Sequence, residues 1–217
     1  MVEPLHLPLF PLRTVLFPGG FIPIHVFEER YLTMIGHCLE GGHPFGVVLI
    51  RAGREVGGAA IPYTVGTIAR IRRVQRMEDG RMNIIAQGER RFRILRLREE
   101  APYPSADVEL LEDEDGADAH VMEAVARLFH RYTQLNLMAM GQWSRPRPLP
   151  QEPSALADLV AHHLAIDLRR KQDLLETLSV QRRLEMEEEI LSSLVEEAER
   201  RARGYVRQRW GGFWALN

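Results

Sequence analysis

Leu7-Pro8-Leu9-Phe10-Pro11-Leu12, then Val15-Leu16-Phe17-Pro18-Gly19, then Pro23-Ile24-His25-Val26-Phe27-Glu28-Glu29-Arg30-Tyr31 fill most of the first 31 residues, and their spacing decides the fold class. Two short apolar strands, each interrupted by prolines, lead into an amphipathic helix. Proline has no N–H for a ladder, so Pro8, Pro11, Pro18 and Pro23 are expected to confine these strands to edges or bends, with Pro18-Gly19 as the turn between them. The helix is expected to begin near Glu28, with Glu28 and Glu29 at the positive end of its dipole, and to stop at Gly41-Gly42. Phe27, Tyr31, Met34, Ile35 and Cys38 form one stripe along it. Such a stripe in a strand-rich region must lie against a sheet, plugging an end or side of a curled one.

From Leu5 to about Leu111 the pattern is mostly strand. Phe45 to Ile50 is a continuous apolar run, as expected of a strand buried on both faces, and Val65 to Met77 is longer and partly alternating. The segment Ala52 to Pro62 between them reads as a loop. Glu78-Asp79-Gly80-Arg81 carries the Asp-Gly signal of a tight hairpin leading into Met82 to Gln87. In Arg91 to Arg98 the apolar phase changes from even, at Phe92 and Ile94, to odd, at Leu95 and Leu97. A straight strand cannot bury both sets on one face, so a bulge is expected near Ile94 to Leu95.

After the acidic stretch Glu112 to Gly116 the period becomes helical. Val121, Val125, Leu128, Tyr132 and Leu135 predict a helix from about Asp118 to Leu137. Met138 to Pro153, with Pro146, Pro148, Pro150 and Pro153, predicts a long proline-rich connector. Beyond it Ser154 is expected to cap a helix with Leu156, Leu159, Val160 and His163 on one face. Asp167 should cap a second helix carrying Leu174, Leu175 and Leu178, and Ser179 a third running towards Arg203. Leu184, Leu191, Leu194, Val195, Ala198, Ala202 and Tyr205 make a narrow seam on this last helix, which Gly204 or Gly211-Gly212 should end.

The opening segments, and above all the run Phe27 to Met34, resemble the start of the N-terminal substrate-binding domain of Lon-type ATP-dependent proteases. The likeness continues through Val65-Gly66-Thr67-Ile68-Ala69 and Gly88-Glu89-Arg90-Arg91-Phe92-Arg93-Ile94. In the helical half it takes in Leu156 to Ala161, Lys171 to Glu176 and Leu184-Glu185, so nearly the whole chain is covered. The resemblance implies an α+β fold: a PUA-like curled β-sheet or pseudo-barrel with one packed helix, followed by a C-terminal helical bundle. The expected organisation is a PUA-like β subdomain over 1–113, a helical bundle over 114–204 and an aromatic C-terminal tail over 205–217. The resemblance also implies the work of that domain in full-length Lon, which is to capture exposed apolar segments of protein substrates.

Composition excludes several classes. With 217 residues, 45% apolar and 27% charged, the chain can bury a proper core. No apolar stretch approaches the roughly 20 residues of a membrane span, and the N-terminus lacks a basic segment followed by an uninterrupted apolar one, so a cytoplasmic location is expected. The single cysteine, Cys38, reads as a small buried hydrophobe. Residues 1–100 carry 14 Arg against 10 Asp and Glu, a balance of +4, which leaves −6 for the remainder. The two halves therefore differ in surface charge.

Catalytic signatures are missing from the sequence. It contains no G-x-x-x-x-G-K-[ST], its sole lysine, Lys171, is not followed by Ser or Thr, and none of its six serines lies in G-x-S-x-G. No enzymatic activity and no cofactor are expected. His162 and His163 are adjacent and point about 100° apart on a helix, whereas helical ligand pairs need i, i+3 or i+4 spacing, so no metal is expected. The arginines from Arg70 to Arg98 could suggest a nucleic-acid surface. Interleaved Glu78, Asp79, Glu89, Glu99 and Glu100, few aromatics and a pI near 6.5 favour an ion-paired, solvated face instead.

Met138, Met140 and Trp143 in the connector, and Trp210, Phe213 and Trp214 in the tail, are the adaptable apolar side chains expected to contact peptides. The expected function is a stand-alone, non-catalytic protein-binding module for apolar or unfolded polypeptide segments, working with a protease or chaperone in trans. The alternatives are a PUA-like nucleic-acid-binding protein and a structural self-association domain. The tail aromatics could cover the last seam in cis or insert into a second copy; a homodimer is favoured because Arg200, Arg201, Arg203, Arg207 and Arg209 would rim such an interface.

Overall fold

A computed structural model describes residues 4–55, 57, 60–98, 102–114, 116–145 and 147–210, with side chains as far as residue 201. Among these residues it contains seven strands and five helices, in two compact units: 1–114 with 161–178, and 115–160 with 179–217.

The strands of the first unit are β1 (Leu5–Leu12), β2 (Phe21–Val26), β3 (Phe45–Gly53), β4 (Ala60–Pro62), β5 (Val65–Arg76), β6 (Met82–Arg98) and β7 (Ser105–Leu110). Neighbours follow the order β1-β7-β6-β5-β3, and a parallel β1–β3 pairing closes that path into a ring. β2 pairs with the first part of β6, and β4 pairs with β3 inside the segment read as a loop. That three-residue strand is too short to leave a periodic signal.

The prolines of β1 do not place it at an edge. Leu5 to Pro8 pair with β7 and Leu9 to Leu12 with β3. Each half of β1 thus has one open side, where a proline nitrogen costs no ladder bond. Gly80 closes the β5–β6 hairpin with φ +85, a left-handed conformation that glycine adopts without strain. A register shift between Ile94 and Arg96 confirms the expected bulge, but Leu95 and Leu97 remain exposed, at 54% and 49%. Two further bulges interrupt the β5–β6 ladder, at Ile68/Ala69 and Ile71/Arg73.

Helix α1 (Glu29–Gly41) follows Glu28, which is extended, and ends at Gly42, whose φ of +65 marks a left-handed C-cap. Tyr31, Met34, Ile35 and Cys38 are buried beside Phe10, Ile24, Val26, Phe45, Met82 and Ile84, with Tyr31 stacked on Phe10 at 4.2 Å between ring centroids. Phe27 does not join this stripe. It precedes the helix and is 45% exposed. A second core cluster joins Leu7, Leu9, Val48, Ile68, Phe92, Ala106 and Val108. Full burial of each large aliphatic side chain contributes on the order of 2 kcal/mol.

Helix α4 (Leu168–Glu176) belongs to the same unit. Asp167 caps it by accepting from the Arg170 N–H at 2.9 Å, and Gln172 Nε2 donates to the Val65 carbonyl at 3.0 Å. Arg91, expected on a solvated face, is buried at 4%; its Nε donates to the Leu175 carbonyl at 3.1 Å and its Nη1 lies 3.2 Å from Asp113 Oδ1. A guanidinium with several fixed donors can join a helix carbonyl and a carboxylate at once. Gly66 is required nearby, because a Cβ there would lie 2.5 Å from the Val47 carbonyl oxygen.

The second unit contains α2 (Ala119–Ala139), most of α3 (Pro153–His163) and α5 (Val180–Trp210). Asp118 caps α2 by accepting from the His120 N–H at 2.8 Å. Helices α2 and α5 run alongside in the same direction: the Asp118 N–H donates to Gln181 at 2.7 Å near their starts, and Arg131 meets Glu199 at 2.9 Å further along. The N-terminus of α3 is capped by Glu152 rather than Ser154. Its carboxylate accepts from the Ser154 and Ala155 N–H groups at 2.9 and 2.6 Å. His163 does not share the buried face of α3; it is exposed, and His162 is the half-buried member of the pair. Helix α5 passes through Gly204 and reaches Trp210.

Candidate functional site

Helix α2 runs out of apolar partners at its C-terminus. Leu135 is buried, whereas Met138 is 47%, Met140 69% and Trp143 82% exposed. The Met140 N–H donates to the Asn136 and Leu137 carbonyls, and the Gln142 N–H donates to the Leu137 carbonyl at 2.8 Å. Gly141, with φ +69, permits this turn, which presents Trp143 directly beyond the helix end. The connector is also tied back, because His130 Nε2 lies 3.1 Å from the Arg147 carbonyl oxygen. Two thioethers and an indole are thus exposed together on a backbone fixed by hydrogen bonds. Such side chains can fill irregular apolar surfaces without a single required geometry.

The expected tail residues do not join this description. Trp210 is the last residue of α5, and its side chain, with Phe213 and Trp214, lies outside the described residues.

A second exposed apolar row was not singled out by sequence reasoning. On β2 the residues alternate, with Ile24 and Val26 buried while Phe21, Pro23 and His25 are exposed, and Phe27 continues the row. The His25 and Phe27 rings stack at 5.8 Å, and His25 Nδ1 lies 2.7 Å from Asn83 Oδ1. The alternation is one of burial and left no signal in the sequence, where every residue from Phe21 to Phe27 except His25 is apolar and the prolines drew the reading towards turns.

Titratable groups give structural roles. Cys38 is buried, and burial pushes its thiol up to about 11, so it is a poor nucleophile. Lys171 donates from Nζ to the His162 carbonyl at 2.9 Å, and burial lowers its pKa. His162 Nδ1 is buried with no hydrogen-bond partner among the described residues, and a Cβ on Gly20 would lie 2.7 Å from it. Burial first, then the neighbouring His163 and Lys171, lower the His162 pKa. Among the described residues no group of three His, Cys, Asp or Glu side chains is placed to hold a metal ion. Sequence reasoning also missed Arg183, fully buried in α5, whose Nη2 lies 3.6 Å from Asp158 Oδ1 on α3.

Most arginines of β5 and β6 have acidic partners. Arg70 and Arg72 share Glu89 at 2.7 and 3.4 Å, Arg90 meets Glu112 at 3.1 Å, Arg93 meets Glu109 at 3.0 Å and Arg98 meets Asp107 at 2.8 Å. The Arg98 hydrogen bond holds the Asp107 carboxyl below the usual range. Arg73, Arg76 and Arg96 have no acidic partner among the described residues.

Comparison with known proteins gives a consistent picture. The family model described as the ATP-dependent protease La (LON) substrate-binding domain matches residues 6–193. The Lon protease of Anaeromyxobacter dehalogenans is 33% identical over 195 residues, which are 87% of this chain and 23% of that protein. The Escherichia coli Lon protease is 29% identical, over 95% of this chain and 27% of its own length. The chain therefore spans about a quarter of the length of such relatives. Among solved structures, a Lon N-terminal domain protein from Xanthomonas campestris superposes with a TM-score of 0.65 at 29% identity, covering 83% of this chain and 95% of that one. The N-terminal domain of the Mycobacterium avium complex Lon protease, at 21% identity and a TM-score of 0.64, shares the fold.

Proposed function

Since this chain belongs to the Lon substrate-binding domain family, we propose that its 217 residues act without catalysis, as a module that captures apolar or unfolded segments of other proteins. The observation that carries this reading is the exposure of Met138, Met140 and Trp143 together at a hydrogen-bonded helix end. Large apolar side chains held out in water gain free energy when a partner covers them. Methionine and tryptophan suit a partner without a fixed sequence. We read the closed strand ring as the PUA-like barrel implied by the family resemblance, and the captured segment as cargo passed to a protease or chaperone. Ion pairing of the β5 and β6 arginines weighs against the nucleic-acid alternative, because paired guanidiniums release fewer counterions from phosphate.

Binding of a fluorescently labelled, permanently unfolded protein, followed by anisotropy, tests the proposal. Saturable binding that persists at moderate salt is expected, and Trp143→Ser combined with Met140→Ser should weaken it about tenfold. Tight, salt-sensitive binding to single-stranded RNA with no binding to the unfolded protein would overturn it.

A further inference from the structure

The outward face of the small sheet formed by β2, β6 and β5 is organised in cross-strand rows. Phe21 pairs with Gln87, which pairs with Arg70; Pro23 with Ile85, which pairs with Arg73; His25 with Asn83, which pairs with Gln75. Directly paired residues point to the same side of a sheet, so these rows share one surface. The opposite surface, with Ile24, Ile84 and Val74, is packed into the core. The outward surface is therefore apolar along β2, neutral along β6 and cationic along β5, over two inter-strand steps of about 5 Å each.

Its charge is not balanced. Arg70 and Arg72 share one carboxylate, that of Glu89, which the Ile68/Ala69 bulge leaves without a strand partner of its own. Arg73 is exposed and has no acidic partner among the described residues. At the other side Phe21 is 53% and Phe27 45% exposed, and no charged residue lies between Phe21 and Phe27. A solvated face ordinarily alternates charges of both signs; this one separates an apolar row from excess positive charge.

From this juxtaposition we infer that the outward face of β2, β6 and β5 is a docking surface for an extended apolar polypeptide segment that carries carboxylate side chains. The apolar side chains of the segment lie over Phe21, Pro23, Ile85 and Phe27, and its acids meet Arg73 and Arg72. The inference rests on the peptide-capture reading above and adds a charge preference to it. The surface selects acid-bearing apolar segments over lysine-bearing ones, because a lysine there would meet only guanidiniums.

The test uses three synthetic peptides with the same Val- and Phe-rich backbone, carrying Glu, Gln or Lys at alternate positions. Each is titrated against the full chain and against Phe21→Ser, Arg73→Glu and Trp143→Ser variants, whose helicity and melting are checked first. The Glu peptide should bind about fivefold more tightly than the Gln peptide, as one or two exposed ion pairs allow, and the Lys peptide more weakly still. Phe21→Ser should weaken all three, and Arg73→Glu should invert the preference so that the Lys peptide binds best. Equal binding of the Glu and Gln peptides, or Glu-peptide binding within twofold of the parent for both β2–β5 variants, overturns the inference. If the unfolded protein still binds and only Trp143→Ser abolishes that, the capture reading stands and this surface does not. If the full chain binds neither the unfolded protein nor any peptide, the capture reading itself fails.

Discussion

His162 is the clearest single-residue liability in the protein. Its Nδ1 is buried close to the backbone of Gly20 with no hydrogen-bond partner among the described residues, and its pKa is lowered from the usual 6.5, chiefly by burial, with His163 and Lys171 adding to the effect. The unfolded chain therefore binds this proton more readily than the folded protein does. The stability that the neutral imidazole allows is fully present above about pH 6.5 and is lost as the pH falls below that value towards the folded pKa. Cys38 has the opposite sign: its thiol titrates near 9 when unfolded but about 11 when folded, so stability declines as pH rises through that interval. We expect the urea midpoint of the parent to fall between pH 7.5 and pH 5, and His162→Gln to flatten this acid limb. An acid limb of the same slope in His162→Gln would remove His162 as its source. Sequence reasoning placed His163 on the buried face of this helix, whereas His162 is the half-buried one, because Gly20 approaches it from far away in the chain.

At the scale of elements, local signals were readable and remote ones were not. The α1 and α2 boundaries, the Asp-Gly hairpin and the bulge near Ile94 depend on neighbours within a few residues, and all could be read directly. The inner placement of β1 could not, because it depends on two partners, β7 and β3, that divide the strand between them. The candidate site divides in the same way. Met138, Met140 and Trp143 stand out because the helix period ends there, whereas the β2 to β5 rows exist only once the register is known. The α3 start shows a subtler failure, since Ser154 is a good capping residue but Glu152 supplies the oxygens. Glu152→Ala should therefore destabilise the protein by about 1 kcal/mol, and Ser154→Ala by much less. Thermal melts of both variants check this, and a larger effect at Ser154 would reverse the assignment.

For the whole molecule, the notable feature is that residues 161–178 belong to the strand unit although α2 and most of α3 precede them in the chain. Arg91 and Gln172 join that segment to the strands by buried hydrogen bonds. A fragment ending at residue 114 would keep every described strand yet lose the Arg91–Leu175 and Gln172–Val65 hydrogen bonds, a loss on the order of 1–3 kcal/mol before any lost packing is added. We expect such a fragment to melt well below the full chain and to recover stability when a peptide of residues 161–178 is added in excess. A fragment as stable as the intact chain, indifferent to the peptide, would show that the segment contributes little.

The same interrupted connectivity sets a schedule for biosynthesis. On a ribosome the seven described strands emerge long before Gln172 and Leu175, and at roughly 5–20 residues per second the interval is about 3–13 seconds. Throughout that interval the nascent strand ring lacks the segment that Arg91 and Val65 bind. A protein whose proposed task is to hold incomplete chains is itself, during its own translation, an incomplete chain with a surface waiting to be covered.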